Sequence, residues 1–125
     1  MINLKNEMSV LVVEDEPAIS RLLSRRLKKN HFDVKCVASL SEAKEALKET
    51  DWDFIFLDYI LEDGRSKDLA DQKYLKFTDK VFLMSAFMED LDKTDFKSLN
   101  VVYLKKPFDN LTEVLENMHK IFKQE

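Results

Sequence analysis

Three short runs of this chain are apolar at every position: Val10-Leu11-Val12-Val13, Phe54-Ile55-Phe56-Leu57 and Val81-Phe82-Leu83-Met84. A strand with one face in water alternates apolar and polar residues. A run without alternation needs cover on both faces, which a parallel sheet between two helix layers provides. The runs fall within strand-like segments at residues 9–13, 52–57 and 80–84, and residues 33–37 and 101–104 add two weaker ones.

Helical patterns fill the intervals. Ile19, Leu22, Leu23 and Leu27 recur at helical spacing, with Pro17 suited to a first turn. Ser39 followed by Glu42 makes a capping box ahead of Leu40, Ala43 and Leu47. A last helix is expected from Asp109, with Leu111, Val114, Leu115, Met118 and Phe122 on one stripe. Residues 66–77 and 87–99 are less periodic and are read as helices because parallel neighbours require crossovers. Five strand–helix units predict an α/β fold, a doubly wound five-stranded parallel sheet with five helices. Right-handed crossovers favour the flavodoxin-like order 2-1-3-4-5. The 125 residues make one domain, with its core over residues 8–123.

Composition excludes several functions. Gly64 is the one glycine, so the glycine-rich loops that cradle phosphates or dinucleotides are absent. A net charge of -4 disfavours nucleic-acid binding, which needs a basic patch. Cys36 stands alone in an apolar strand-like run and is expected to be a buried small hydrophobe. His31 and His119 share no spacing with it, which argues against zinc. The longest apolar run, residues 81–88, contains Ser85 and is too short to span a bilayer. Met1 to Met8 has no signal-peptide pattern, so a cytoplasmic location is expected.

In doubly wound sheets, ligands bind beyond the carboxyl ends of the strands. Here the first strand runs into Glu14-Asp15-Glu16 and the third into Asp58, while the fourth ends in Ser85 and the fifth in Lys105-Lys106-Pro107. Three carboxylates at one edge repel unless a cation sits between them. Mg2+ suits few carboxylates together with a phosphate. A hydroxyl and an ammonium opposite would hold the remaining phosphate oxygens, and a carboxylate can itself be the nucleophile. Taken singly, each group has a plainer reading: acids at a helix N-terminus, a turn aspartate, an N-capping serine, a solvated lysine pair. None of these explains their shared edge.

Val-Val-Glu14-Asp15-Glu16-Pro17, Asp58-Tyr-Ile-Leu-Glu-Asp-Gly64, Ser85-Ala86 and Tyr103-Leu-Lys-Lys106-Pro107-Phe108, in that order, resemble the receiver domain of two-component response regulators over nearly the whole chain. The resemblance implies a phosphoryl-accepting signalling switch, in which Asp58 takes the phosphoryl group from a phosphohistidine partner. It implies that Glu14, Asp15, Asp58 and the Ile60 carbonyl hold Mg2+. Ser85 and Lys106, rather than Lys105, would contact the phosphoryl group, and the Lys106–Pro107 bond would be cis. Tyr103 would be the aromatic that turns inward on activation, and Ile60 with Phe87 would flank the path of hydrolytic water. Such a domain is no general enzyme and catalyses only its own phosphorylation and dephosphorylation.

Three departures from the family pattern stand out. Glu62 replaces a frequent proline, which should loosen the loop after Asp58. A short interval from Asp58 to Ser85 should trim the third helix or its flanking loops. Asn100 would take a left-handed conformation in place of the glycine before the fifth strand. The partners implied are a histidine kinase or phosphotransfer protein and a downstream effector, either a separate protein or a domain outside these residues. Arg21, Arg25 and Lys28 share one face of the first helix, which reads equally as a solvated face or as the kinase-docking surface. Acids at residues 89, 90, 92 and 95 read as a solvated helix face. Two other functions suit the same fold: a pseudo-receiver that binds partners without phosphate, and a flavin carrier. The full acidic pair with Asp58, Ser85 and Lys106 argues against the first. Three acids where a Ser/Thr/Gly-rich loop is needed argue against the second.

Overall fold

The computed structural model describes residues 7–122. The stretch Met1 to Met8, read as free of a signal sequence, and the end of the expected core at residue 123 fall wholly or mostly outside them. Along the chain run β1 (Ser9–Val13), α1 (Pro17–Lys29), β2 (Asp33–Val37), α2 (Leu40–Glu49), β3 (Phe54–Asp58), the two-residue strands β4 (Ile60–Leu61) and β5 (Gly64–Arg65), α3 (Lys67–Asp71), β6 (Lys80–Ser85), β7 (Asn100–Lys105), α4 (Leu111–Glu116) and α5 (Met118–Ile121). The five longer strands form one parallel sheet ordered β2-β1-β3-β6-β7, which is the expected 2-1-3-4-5.

Strand side chains alternate between the two faces, and each face of the central strands is covered. Leu11, Val13, Ile55, Leu57, Val81 and Leu83 pack with Leu40, Ala43 and Ala46 of α2, Leu69 of α3, and Phe96. Val10, Val12, Phe54, Phe56, Phe82 and Met84 pack with Leu23 and Leu27 of α1 and with the α4–α5 stripe. The unbroken apolar runs therefore fill two cores at once. On the second face, Phe82 stacks on Phe56 at 4.6 Å and meets Phe122 edge-on at 4.9 Å. Each such buried ring contributes about 1.5–3 kcal/mol.

Two edge positions correct the sequence reading. Cys36 is exposed, because β2 is an edge strand on which only Val37 is fully buried. Leu22 is also exposed and sits beside the basic face of α1, leaving Leu23 and Leu27 as that helix's buried residues. In α2, Ala46 is buried and Leu47 only packs against the core edge.

Helix ends explain where the elements stop. α1 closes with His31 at φ 69, its amide bonded to Lys28 O and that of Phe32 to Leu27 O. α3 closes the same way: Lys73 has φ 64, its amide reaches Ala70 O, and the amide of Tyr74 reaches Leu69 O. Both are Schellman motifs in which a non-glycine residue takes the left-handed position usually given to glycine. This stop leaves α3 only five residues long, the trimming the short interval predicts.

Residues 87–99 do not form the expected α-helix but two 3-10 turns, Met88–Asp90 and Lys93–Phe96. Leu91 between them is extended, and the Asp92 carboxylate accepts the Thr94 amide at 3.0 Å, competing with a continuous helical ladder. The last helix begins at Leu111 rather than Asp109 and breaks at Asn117, whose side chain donates to Glu113 O at 2.8 Å. Asn100 is an ordinary β residue paired with Lys80, so no left-handed substitute for the missing glycine is needed there.

Candidate functional site

The carboxyl ends of β1, β3, β6 and β7 meet at one edge of the sheet, and the register sets what they carry. Asp58 lies level with Met84, and Ser85 with Lys105. Just past β1, the Glu14 amide bonds Val37 O, and just past β7 the Lys106 amide bonds Ser85 O at 2.8 Å. Backbone pairing thus carries Glu14 and Lys106 one residue beyond the strands and into the site.

Ligand oxygens of Glu14, Asp15 and Asp58 all lie within 4.8 Å of one another. Lys106 Nζ stands 3.1 Å from Glu14 Oε1 and 3.2 Å from Asp58 Oδ1, with its side chain only 12% exposed. Lys105 is exposed, so the pairing falls on the lysine directly before the proline. The Lys106–Pro107 bond is cis. Burial, and next the negative charge of Glu14, push the Asp58 carboxyl up to about 7, against the opposing pull of Lys106. Burial works against the Lys106 charge, but Asp58 and Glu14 outweigh it and hold the ammonium above its usual range. One lysine thus offsets only part of the carboxylate charge, and the set is all hard oxygen donors, which suits a divalent cation such as Mg2+.

Two backbone amides orient these acids. Glu16 N–H donates to Glu14 Oε2 at 3.0 Å, and Glu62 N–H donates to Asp15 Oδ2 at 2.9 Å. The second comes from the β4–β5 hairpin, which sequence reasoning missed. The hairpin also answers the departure at Glu62: the loop turns back on itself, with Ile60 paired to Arg65 and Leu61 to Gly64. Its sequence signal was Asp63-Gly64, an Asp-Gly pair holding the chain's single glycine.

The remaining expected residues take other places. Ser85 is buried at the end of β6, its hydroxyl accepting the Phe87 amide at 3.1 Å. Ile60, in β4, and Phe87, just past β6, are 56% and 61% exposed. Tyr103 lies outside the carboxylate cluster, half-buried in β7 with Lys93 Nζ 4.9 Å from its ring centroid. Burial, then Asp95 and Tyr59, raise its hydroxyl pKa. Tyr59, next to Asp58, is buried, and its hydroxyl accepts from Arg65 at 3.0 Å. Arg21, Arg25 and Lys28 are exposed on α1. Arg21 also lines a cavity of about 290 Å3 with Glu14, Asp15 and Cys36. Among the described residues, no helix is long and apolar enough to cross a membrane.

The fold has close counterparts. A response regulator receiver domain (CheY-like) from Methylobacillus flagellatus superposes with a TM-score of 0.78 at 27% identity, covering 94% of this chain and all of that one. The Francisella response regulator 1452 receiver domain gives 0.72 at 25% identity, over 94% of this chain and 100% of its own. The response regulator TrrA of Thermotoga maritima, solved in complex with Mg2+-BeF, shares the fold with a TM-score of 0.77 at 21% identity, over 93% and 99% of the two chains. The family model for the response regulator receiver domain matches residues 10–119, and with acids, serine and lysine gathered at the carboxyl edge of a 2-1-3-4-5 sheet, the chain belongs to that family.

Proposed function

We propose that this domain accepts a phosphoryl group on Asp58 from a phosphohistidine of a kinase or phosphotransfer protein, as a two-component signalling switch. The observation that carries this reading is the largely covered Lys106, whose Nζ lies within 3.2 Å of both Glu14 and Asp58, beside a cluster of three carboxylates. A carboxylate of Asp58 attacks phosphorus, a new O–P bond forms, and the P–N bond to the partner's imidazole breaks, the ring taking up a proton as it leaves. Glu14, Asp15, Asp58 and the Ile60 carbonyl would hold Mg2+, which when bound offsets charge on the transferring oxygens. The Lys106 ammonium supplies a second positive charge to those oxygens, and the Ser85 hydroxyl a hydrogen bond. That bond draws Ser85 away from its own turn at Phe87, and Tyr103 moves inward as the surface read by the effector changes. The domain's catalysis is confined to gaining and losing this one group.

Lys106→Ala should reduce labelling by acetyl phosphate by roughly a hundredfold, the scale of losing one fixed electrostatic partner of developing charge. Lys105→Ala should leave it unchanged. Equal effects of the two variants would contradict the reading.

A further inference from the structure

The β4–β5 hairpin has only two residues per strand, too few to hold a position by their own pairing. At its base, the Ser66 amide and hydroxyl both donate to Tyr59 O, at 3.0 and 2.9 Å. At its tip, the Asp63 carboxylate accepts the Leu40 amide at 2.9 Å and the Ser41 amide at 3.2 Å. These are amides of the first turn of α2, whose next amide, Glu42, is taken by the Ser39 hydroxyl at 3.1 Å. The two capping groups divide the orphan donors of that turn between them. The Leu40 amide foremost holds the Asp63 carboxyl below the usual carboxylate range. The two elements lie close: a Cβ on Gly64, which has φ 147, would meet the end of the Leu40 side chain, Cδ1, at 2.8 Å. Between base and tip lies Glu62, whose amide grips Asp15.

We infer that Asp63 is a positioning residue for the metal site, fastening the hairpin to the N-terminus of α2 so that the Glu62 amide fixes the orientation of the Asp15 carboxylate. Asp63 is exposed and lies outside the carboxylate cluster, so its effect on the site passes through the backbone of residue 62. The inference rests on the metal-binding reading proposed above.

The test is a Mg2+ titration of the metal-free full chain, followed by backbone amide NMR shifts. Asp63→Ala should weaken Mg2+ affinity about tenfold, the lower end of what losing an outer partner of a metal ligand costs. It should also speed hydrogen exchange at the Glu62 amide before any metal is added. Asp63→Asn keeps one accepting oxygen, enough for the Leu40 amide but not for the Ser41 amide as well, and should fall between Asp63→Ala and the parent in affinity. Ser39→Ala removes the other cap of the same helix and should leave affinity unchanged. Unaltered affinity in Asp63→Ala overturns the inference, as does an equal loss in Ser39→Ala. A parent chain that binds no Mg2+ would instead sink the metal-binding reading on which the inference stands.

Discussion

Asp58 is pulled two ways, by Lys106 at 3.2 Å and by burial beside Glu14, and if it carries the phosphoryl group as proposed, water access limits the release rate. Ile60, in β4 two residues past Asp58, and Phe87, two past Ser85, are bulky, apolar and exposed, and neither side chain can hydrogen-bond an attacking water. We propose that they slow hydrolysis. Ile60→Asn combined with Phe87→Glu should then shorten the life of the phosphoprotein about tenfold, equivalent to about 1.4 kcal/mol of barrier, measured as decay in Mg2+ after the donor is removed. Unchanged decay in a folded variant removes the gate. At this scale the sequence is readable where a residue follows an apolar run, since strand ends place Glu14, Asp58, Ser85 and Lys106. It misleads at Cys36 and Leu22, because their exposure depends on which neighbour covers them, and periodicity does not contain that.

Among the elements, the helix ends are the least legible part. A chain with one glycine must end α1 and α3 with other residues, and it holds His31 and Lys73 in left-handed conformations, both exposed. That conformation costs an L-residue about 1–2 kcal/mol, while glycine pays roughly 0.5–1 kcal/mol in unfolded-state entropy. His31→Gly and Lys73→Gly should each therefore stabilise the fold by about 0.5–1 kcal/mol, raising the melting temperature by roughly 2–6 °C in thermal circular dichroism. His31→Val should lower it. A lower melt for both glycine variants would contradict the assignment. The hairpin and the 3-10 turns escaped the sequence reading for a related reason: both are fixed by side chains that take backbone amides, Asp63 at α2 and Asp92 at Thr94, and such bonds carry no period.

For the whole molecule, the strand order was legible because fully apolar runs demand two covering layers and right-handed crossovers leave few orders. Of the basic face of α1, Arg21 lines the cavity that Glu14 and Asp15 also line. If a kinase docks there, charge reversal at Arg21 and Arg25 to Glu should slow phosphotransfer from the cognate partner about tenfold or more while acetyl phosphate labelling is unchanged. Equal losses in both assays would indicate damage to the fold. The central claim is tested most directly by intact-mass spectrometry after incubation with acetyl phosphate. The parent chain should gain one phosphoryl group in Mg2+ and none with the metal chelated, and Asp58→Asn should gain none in either condition. Stoichiometric labelling of Asp58→Asn, or labelling of the parent that ignores Mg2+, would contradict the account.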